Sequence, residues 1–422
     1  MWLPKPRNVL LTTLIVVLVI ASGLILAQDQ ETLRVRTSLG ATDPQFPDYI
    51  ARLLGNPVTS GDVYIVHTNG DQAFPAMLAA IAGAKNRVSF ETYVYNQGET
   101  ANRFTAAFEA ACRRGVEVKL ILDSVGAQDI DPAHIERLEA AGCQLGWFNK
   151  VASYSLEELN YRTHRKSLII DGDVAFVGGM GVSDYWARDT ENGPRWRDTQ
   201  VEIRGAAAIY VEGAFSENWI ESGGVVEPDV LLHDDEPAGT ARSIVVWAGP
   251  EGGANRMKLL YLMAIASART TLDIESPYVT LDESTRWSLA EARRRGVRVR
   301  ILMEGDVTDA KPVKFASREG YEQLLEQGIE IYEYVPAMMH AKVMVVDGMF
   351  SMFGSANFDN RSLELNDELN IVAFDPALAT RLTADFEQDV TRSAKIDLER
   401  WRARPLHIRG REVMWSWFGE IF

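Results

Sequence analysis

The feature that most constrains this fold is a duplication within the chain. A histidine, a lysine two residues on and an aspartate five positions further occur together twice, 176 residues apart. The two copies are His164, Lys166 and Asp171, and then His340, Lys342 and Asp347. Other stretches repeat at similar offsets: Arg113-Arg114-Gly115-Val116 corresponds to Arg294-Arg295-Gly296-Val297, and Glu91 to Glu275. This period is too long for a solenoid, so the sequence predicts two similar domains packed together.

Both halves alternate short apolar runs with longer amphipathic ones. Strands are predicted at 87–95 and 116–122 and helices at 101–114 and 132–141, with the same order of elements after residue 257. Such alternation predicts α/β layers around a mainly parallel or mixed sheet. We predict a first domain at 60–220 and a second at 241–400, joined by the acidic linker Glu221 to Thr240.

An uncharged, largely apolar segment covers residues 8–28. As a helix of about 1.5 Å per residue it would span about 31 Å, the thickness of a bilayer core. Lys5 and Arg7 precede it, which predicts a cytoplasmic N-terminus and a single-pass cell-membrane protein with an extracytoplasmic body. A cleaved signal peptide is the alternative. The anchor is preferred because the apolar run continues past the small residues Ala21-Ser22-Gly23, and Ile25 does not suit a cut after Ala27.

The C-terminal segment, residues 401–422, combines aromatic side chains with arginines. Rings of this kind lie at headgroup depth in membrane interfaces, so contact with a membrane is one interpretation. A terminal helix docked on the second domain is the other, and the sequence leaves both open.

Net charge and cysteine content narrow the classes of function. A net charge of −16 argues against nucleic acid as a default partner, because phosphate backbones are bound by an excess of Lys and Arg. The chain has two cysteines, which do not make a disulfide framework. Cys112 lies in a helical pattern and Cys143 at a predicted strand start, so we expect two buried free thiols.

The repeated triad suits chemistry on a phosphodiester. Residues two apart on a strand point to the same face, so imidazole and ammonium groups can converge on one anion. Lysine binds phosphoryl oxygens, and histidine can attack phosphorus or donate a proton near neutral pH. Two facing half-sites would support a two-step exchange through a phosphohistidine that needs no metal and no cofactor. The sequence contains neither an H-E-x-x-H pattern nor a G-x-x-x-x-G-K-[ST] loop.

The duplicated His-x-Lys-x4-Asp motif resembles the phospholipase D superfamily, and its surroundings resemble the bacterial cardiolipin synthase-like branch. The supporting stretches are Asn69 to Phe74, Glu91-Thr92-Tyr93, Trp196 to Thr199, Gly354 to Ser362 and Leu365 to Asn370. The resemblance covers residues 60 to 420. It implies an α/β fold of two tandem phospholipase D-like α/β/α domains, packed about a pseudo-twofold axis that carries the active site.

The resemblance also implies roles for individual residues. His164 would be the nucleophile, His340 the general acid and base, and Lys166 and Lys342 the phosphate ligands. Asp171 and Asp347 complete the catalytic motifs, in a role that we take as supporting. Four further residues are expected on the substrate-binding side: Ser355, Asn357, Asp198 and Glu368. Of these, Glu368 would orient a histidine, and Asp198 would do so in the first half.

The reaction implied is the joining of two phosphatidylglycerols with release of glycerol, so phospholipid and membrane are the expected partners. Hydrolysis to phosphatidic acid and a phosphodiester nuclease are the rival functions, and the sequence leaves the oligomeric state open. One departure is notable: Gly178-Gly179-Met180 is followed by Gly181, where the family commonly has asparagine. Ser183 could substitute, or the two half-sites could differ.

Overall fold

A single sheet of fifteen strands runs through the part of the chain that the structure describes. The computed structural model describes residues 32–149, 161–191, 193–226, 237–249 and 256–416. Strands are labelled β and helices α, each numbered in chain order.

The first half of the chain supplies seven strands to this sheet. Its elements are α1 (Phe46–Leu54), β1 (Thr59–Thr68), α2 (Gly70–Gly83), β2 (Arg87–Thr92), α3 (Glu99–Arg113), β3 (Glu117–Asp123), α4 (Pro132–Ala140), β4 (Gln144–Phe148), β5 (Ser167–Ile170), β6 (Val174–Gly178), α5 (Asp184–Ala187), β7 (Thr199–Arg204) and α6 (Ala206–Glu221).

The second half repeats this order and adds a short C-terminal extension. Its elements are β8 (Ala241–Ala248), α7 (Arg256–Ser267), β9 (Thr271–Glu275), α8 (Glu283–Arg294), β10 (Arg298–Glu304), α9 (Lys311–Glu319), α10 (Tyr321–Glu326), β11 (Glu330–Tyr334), β12 (Val343–Val346), β13 (Phe350–Gly354), α11 (Asn360–Glu364), β14 (Glu368–Phe374), α12 (Pro376–Thr391), β15 (Ser393–Lys395), α13 (Leu398–Arg402) and α14 (Leu406–Ser416).

The strand order shows the pseudo-twofold symmetry directly. It runs β4-β3-β2-β5-β6-β7-β1 and then β8-β14-β13-β12-β9-β10-β11-β15. In each half three consecutive strands are parallel, β2-β3-β4 and β9-β10-β11, and the remaining pairs are antiparallel. The two halves join where β1 pairs with β8. The prediction of an α/β fold with a mixed sheet and two similar halves is confirmed.

Local chemistry explains where the helices begin and end. Gly115 and Gly296 follow α3 and α8 with φ of 88° and 90°, a left-handed backbone that favours glycine and stops a helix. Asp131 caps α4 by accepting a hydrogen bond from the Ala133 N–H at 2.9 Å, and Pro132 occupies the first helical position.

Alternation along the strands divides the core into layers. In β5, Leu168 packs with the α3 residue Phe104, whereas Ile169 points to the opposite face and packs in the cluster of Phe215 from α6. That second cluster also contains Val245 of β8 and Phe386 of α12, so it belongs to both halves. This shared core fixes the position of one half relative to the other.

The two cysteines correct a sequence expectation. Cys112 and Cys143 form a disulfide, with their Cα atoms 5.7 Å apart, and are not free thiols. The sequence places them on separate elements, but the end of α3 lies beside the start of β4 in the folded layer. This distance allows a disulfide without backbone movement.

Two predicted membrane segments fall wholly or partly outside the described residues. The anchor at 8–28 lies outside them, and no helix within the described ranges is long and apolar enough to cross a membrane. At the other end, α14 docks on α9, with the Arg411 guanidinium 3.9 Å from the centre of the Phe315 ring. Trp417, Phe418 and Phe422 lie beyond the described part of this segment.

Candidate active site

Each motif histidine lies just before a central strand, and the opposite half holds its main chain. His164 precedes β5 and donates its backbone N–H to the carbonyl of Asp367 at 2.9 Å. His340 precedes β12 and donates in the same way to the carbonyl of Arg197 at 2.7 Å. The site therefore exists only when the two halves are packed together.

The residue after each of these carbonyls supplies a carboxylate to the same histidine. Glu368 Oε1 lies 2.9 Å from His164 Nδ1, and Asp198 Oδ2 lies 2.7 Å from His340 Nδ1. The pairing is crossed between the halves. Asp198 is thus placed to orient a histidine, but that histidine is His340 of the second half and not His164 of the first.

The two carboxylates are themselves held differently. The Ser355 hydroxyl donates to Glu368 Oε2 at 2.5 Å and accepts the Leu369 N–H at 2.9 Å. Asp198 instead accepts from the Trp186 indole at 2.8 Å. The first-half counterpart of Ser355 is Gly179, where an added Cβ would lie 2.5 Å from Asp198 Oδ1. The indole thus takes the place of the serine hydroxyl.

These contacts correct three of the expected substrate-binding positions. Ser355 is fully buried and bound to Glu368, and Asp198 and Glu368 face the histidines. None of the three lines the cavity described next, whereas Asn357 does.

A cavity of about 260 Å³ opens on both histidines at once. Its described lining comes from both halves: Tyr93, Val94, Arg162, His164, Lys166, Trp186, Trp196, Tyr278, Asp309, Val313, His340, Asn357, Asp359, Arg361 and Asn366. The sequence singled out the motif residues among these. The sequence did not indicate Trp186 or Asp309, because neither residue stands at a recognisable spacing from the motifs.

The two motif lysines differ in position, because Lys166 lines the cavity and Lys342 does not. Each Nζ donates to the carbonyl of the histidine two residues before it, at 2.7 Å in both halves. Burial is the main cause that lowers the pKa of Lys166 to about 7, against the raising effect of Glu368. Burial likewise lowers the pKa of Lys342 to about 8. A bound anion favours the charged form of both amines, and near neutral pH this affects Lys166 most, because Lys342 is already mostly protonated there.

Both histidines are neutral in the empty site near pH 7. Burial lowers the pKa of His164 to about 4, although Glu368 works in the opposite direction. The pKa of His340 is also lowered, by burial and then by Lys342. A neutral imidazole whose Nδ1–H donates to a carboxylate leaves the Nε2 lone pair available toward the cavity.

The motif aspartates occupy a different place. Asp171 accepts the backbone N–H groups of Lys85, Asn86 and Arg87 at 2.7 to 2.9 Å, and Asp347 binds the corresponding segment from Arg269 to Thr271. Both have positive φ, 55° and 52°, in the hairpin turns at the far ends of β5 and β12. Neither lines the cavity, so their position corrects their grouping with the catalytic side chains.

The missing asparagine at Gly181 has a steric reason. A Cβ there would lie 2.7 Å from the Val94 Cβ and 2.9 Å from its carbonyl oxygen. Val94 lines the cavity in this half, while Asn357 does so in the other. Ser183 does not substitute: it is buried, does not line the cavity and caps α5. The two half-sites therefore differ.

Known proteins are similar to this chain in sequence. A family model described as "Cardiolipin synthase, PLD-like domain" matches residues 77–209 and 261–390. The cardiolipin synthase of Geobacillus kaustophilus is 33% identical over 364 residues, which cover 85% of this chain and 72% of that protein. Cardiolipin synthase 2 of Bacillus anthracis is 34% identical over 349 residues, covering 81% and 67%.

Solved structures share the fold at lower sequence identity. Phosphatidylserine synthase from Haemophilus influenzae gives a TM-score of 0.68 at 12% identity, covering 89% of this chain and 100% of that one. Polyphosphate kinase from Porphyromonas gingivalis gives 0.55 at 16% identity, covering 98% and 59%.

Proposed function

The chain belongs to the cardiolipin synthase family with phospholipase D-like domains, and we propose that it forms cardiolipin from two phosphatidylglycerols with release of glycerol. The observation that carries this proposal is the pair of histidines on one cavity, each oriented through Nδ1 by a carboxylate of the opposite half.

In the first step, His164 Nε2 attacks the phosphorus of a bound phosphatidylglycerol. The new N–P bond forms as the P–O bond to the headgroup glycerol breaks, and His340 in its protonated form gives the departing alkoxide its proton. The negative charge of the bound phosphodiester favours that protonated form, and Asp198 stabilises it through Nδ1–H. The product is a phosphatidyl group bound to His164.

In the second step, the headgroup hydroxyl of another phosphatidylglycerol attacks the same phosphorus. Its proton passes to His340 Nε2, the N–P bond breaks, and His164 is restored as a neutral imidazole. Both steps balance with these side chains alone.

The remaining residues support this exchange in proposed roles. Lys166, Lys342 and the Asn357 amide would bind the non-bridging phosphoryl oxygens, whose charge must be stabilised in both transition states. Asp171 and Asp347 would fix the ends of β5 and β12 through the backbone that they bind. We also propose that the domains extend over 60–220 and 241–400, since each span contains half of the pseudo-symmetric sheet.

Substrate affinity should fall as the pH rises. With a pKa of about 7 in the empty site, Lys166 is charged below pH 7 and must take up a proton to bind an anion above it. The KM for phosphatidylglycerol should therefore rise up to about tenfold per pH unit above pH 7, and more steeply above pH 8 as Lys342 also loses its proton. Assays at constant ionic strength from about pH 6 to pH 9 measure this.

Lys166→Arg is the control for this pH dependence, because arginine keeps its charge throughout the range. In that variant the rise in KM should begin near pH 8 and not near pH 7. A KM that does not change with pH in the unmodified protein would contradict this assignment.

We propose that residues 8–28 anchor the protein in the cell membrane with the body on the extracytoplasmic side. The Cys112–Cys143 disulfide supports this orientation, because disulfides persist in oxidising compartments. On α14 the exposed side chains Leu406, Val413 and Met414 recur at the spacing of one helix face, which supports contact with lipid. Protease added to intact spheroplasts should digest the body; a protected body would contradict this orientation.

The products of labelled phosphatidylglycerol test the function. Cardiolipin together with free glycerol is the expected result. Phosphatidic acid alone would show that water is the acceptor and that the protein is a hydrolase. Lipid left intact, with cleavage of single-stranded DNA, would replace the proposal with a nuclease.

A further inference from the structure

The two ends of the catalytic cavity are built differently. The rings of Trp186 and Trp196 each have their centres 5.4 Å from that of His340. The same cavity is lined by Asp309, from the loop that follows β10. In the first half the equivalent loop follows β3, and none of its described residues, 124–131, lines the cavity. The carboxylate is therefore an addition to one half of a pseudo-symmetric site.

Asp309 is held in place by its neighbours. The Tyr278 hydroxyl donates a hydrogen bond to Asp309 Oδ1, and Tyr278 also lines the cavity. Burial, followed by the charge of Asp309, raises the pKa of this phenol, so it remains a donor at neutral pH. Asp309 Oδ2 accepts no hydrogen bond from a described residue and can accept one from a ligand.

The loop around Asp309 is anchored on both sides. Lys314 of α9 donates to the Gly305 carbonyl at 2.5 Å and to Asp306 Oδ1 at 2.8 Å. The Ala310 N–H donates to the Thr308 hydroxyl at 3.1 Å. Val313, one turn into the following helix, reaches the cavity as well. Because these contacts fix the loop, the Asp309 carboxylate can bind only a ligand group that reaches its position in the cavity.

The reaction places a headgroup at the His340 end. If His164 attacks phosphorus, the alkoxide that leaves and the hydroxyl that enters both lie where His340 can exchange a proton with them. In both steps that group is a glycerol with at least one further free hydroxyl. A carboxylate accepts hydrogen bonds from such hydroxyl groups.

We propose that Asp309, positioned by Tyr278, binds the free hydroxyl of the glycerol headgroup beside His340 and so selects polyhydric alcohols as leaving group and acceptor. Trp186 and Trp196 form the apolar wall of this subsite. The inference rests on the proposed function, because it assigns the headgroup end by the role of His340.

Competition between two soluble alcohols tests the subsite. Transfer of the phosphatidyl group from labelled phosphatidylglycerol to glycerol and to 1-propanol is measured, and the ratio of their kcat/KM values is compared. We expect the unmodified protein to prefer glycerol. Asp309→Ala should lower that ratio about ten- to a hundredfold, mainly through the KM for glycerol, because a hydrogen bond to a charged group is lost. Tyr278→Phe should lower it less.

Asp129→Ala is the matched control, since Asp129 is exposed on the equivalent loop of the first half and does not line the cavity. It should keep the glycerol preference. An equal loss toward both alcohols in Asp309→Ala would overturn the proposal, as would an unchanged ratio. Preferential use of ethanolamine, lost in Asp309→Asn, would also overturn it, because the carboxylate would then serve a cation.

The same assays separate this inference from the proposed function. If cardiolipin forms and Asp309→Ala leaves the ratio of the kcat/KM values for glycerol and 1-propanol unchanged, only the proposed subsite is wrong. Exchange with glycerol that depends on Asp309, without any cardiolipin, defeats the proposed function and leaves the subsite.

Discussion

Loss of either motif histidine should abolish or strongly slow phosphatidyl transfer, and the two variants should fail at different steps. His164→Ala removes the nucleophile, so neither cardiolipin nor a phosphoenzyme should form. His340→Ala removes the proton donor, and transfer from phosphatidylglycerol should fall about 10²- to 10⁴-fold. A donor with a p-nitrophenol leaving group needs no proton, so His340→Ala should still release one equivalent of nitrophenolate. Rapid-quench kinetics with labelled donor measure both steps.

The residue that carries the trapped phosphatidyl group identifies the nucleophile. In His340→Ala the phosphatidyl group should remain on His164, because no base activates the incoming hydroxyl. Label on His340 in His164→Ala would reverse the two roles. His407→Ala is the control, since that histidine lies on α14 outside the cavity, and it should keep full activity.

The crossed carboxylates should affect the same two steps selectively. Glu368→Gln leaves His164 without its charged partner and should slow transfer about 10²- to 10⁴-fold with either donor, because the imidazole loses its tautomer and orientation. Asp198→Asn acts through His340, so it should slow transfer from phosphatidylglycerol by a similar factor. It should have much less effect on the first release of nitrophenolate.

This pattern distinguishes crossed pairing from pairing within each half. If Asp198→Asn slowed the first release of nitrophenolate and Glu368→Gln did not, the carboxylates would serve the opposite histidines. Glu326→Gln, on the exposed surface of α10, is the matched control and should change neither step.

Patterns in the sequence were sufficient to predict the duplicated fold and the chemistry at the centre of the site. Apolar runs such as 167–170 and 343–346 predict strands β5 and β12, and the motif histidine and lysine directly precede each strand. These features could be predicted because they depend on the spacing of residues that are close together in the sequence. At Gly181 the sequence showed only a departure from the asparagine that the family commonly has. The structure gives the reason, because a Cβ at this position would clash with Val94.

The way in which the two halves form one active site is visible only in the folded structure. Asp198 and His340 are 142 residues apart, and no spacing in the sequence indicates that they meet. Their contact follows from the pairing of β1 with β8 and from the core that both halves share. Three other features have the same origin: the Cys112–Cys143 disulfide, the position of Asp171 away from the cavity, and the presence of Asp309 in the cavity lining. Each depends on distances between separate elements, and those distances are fixed by packing.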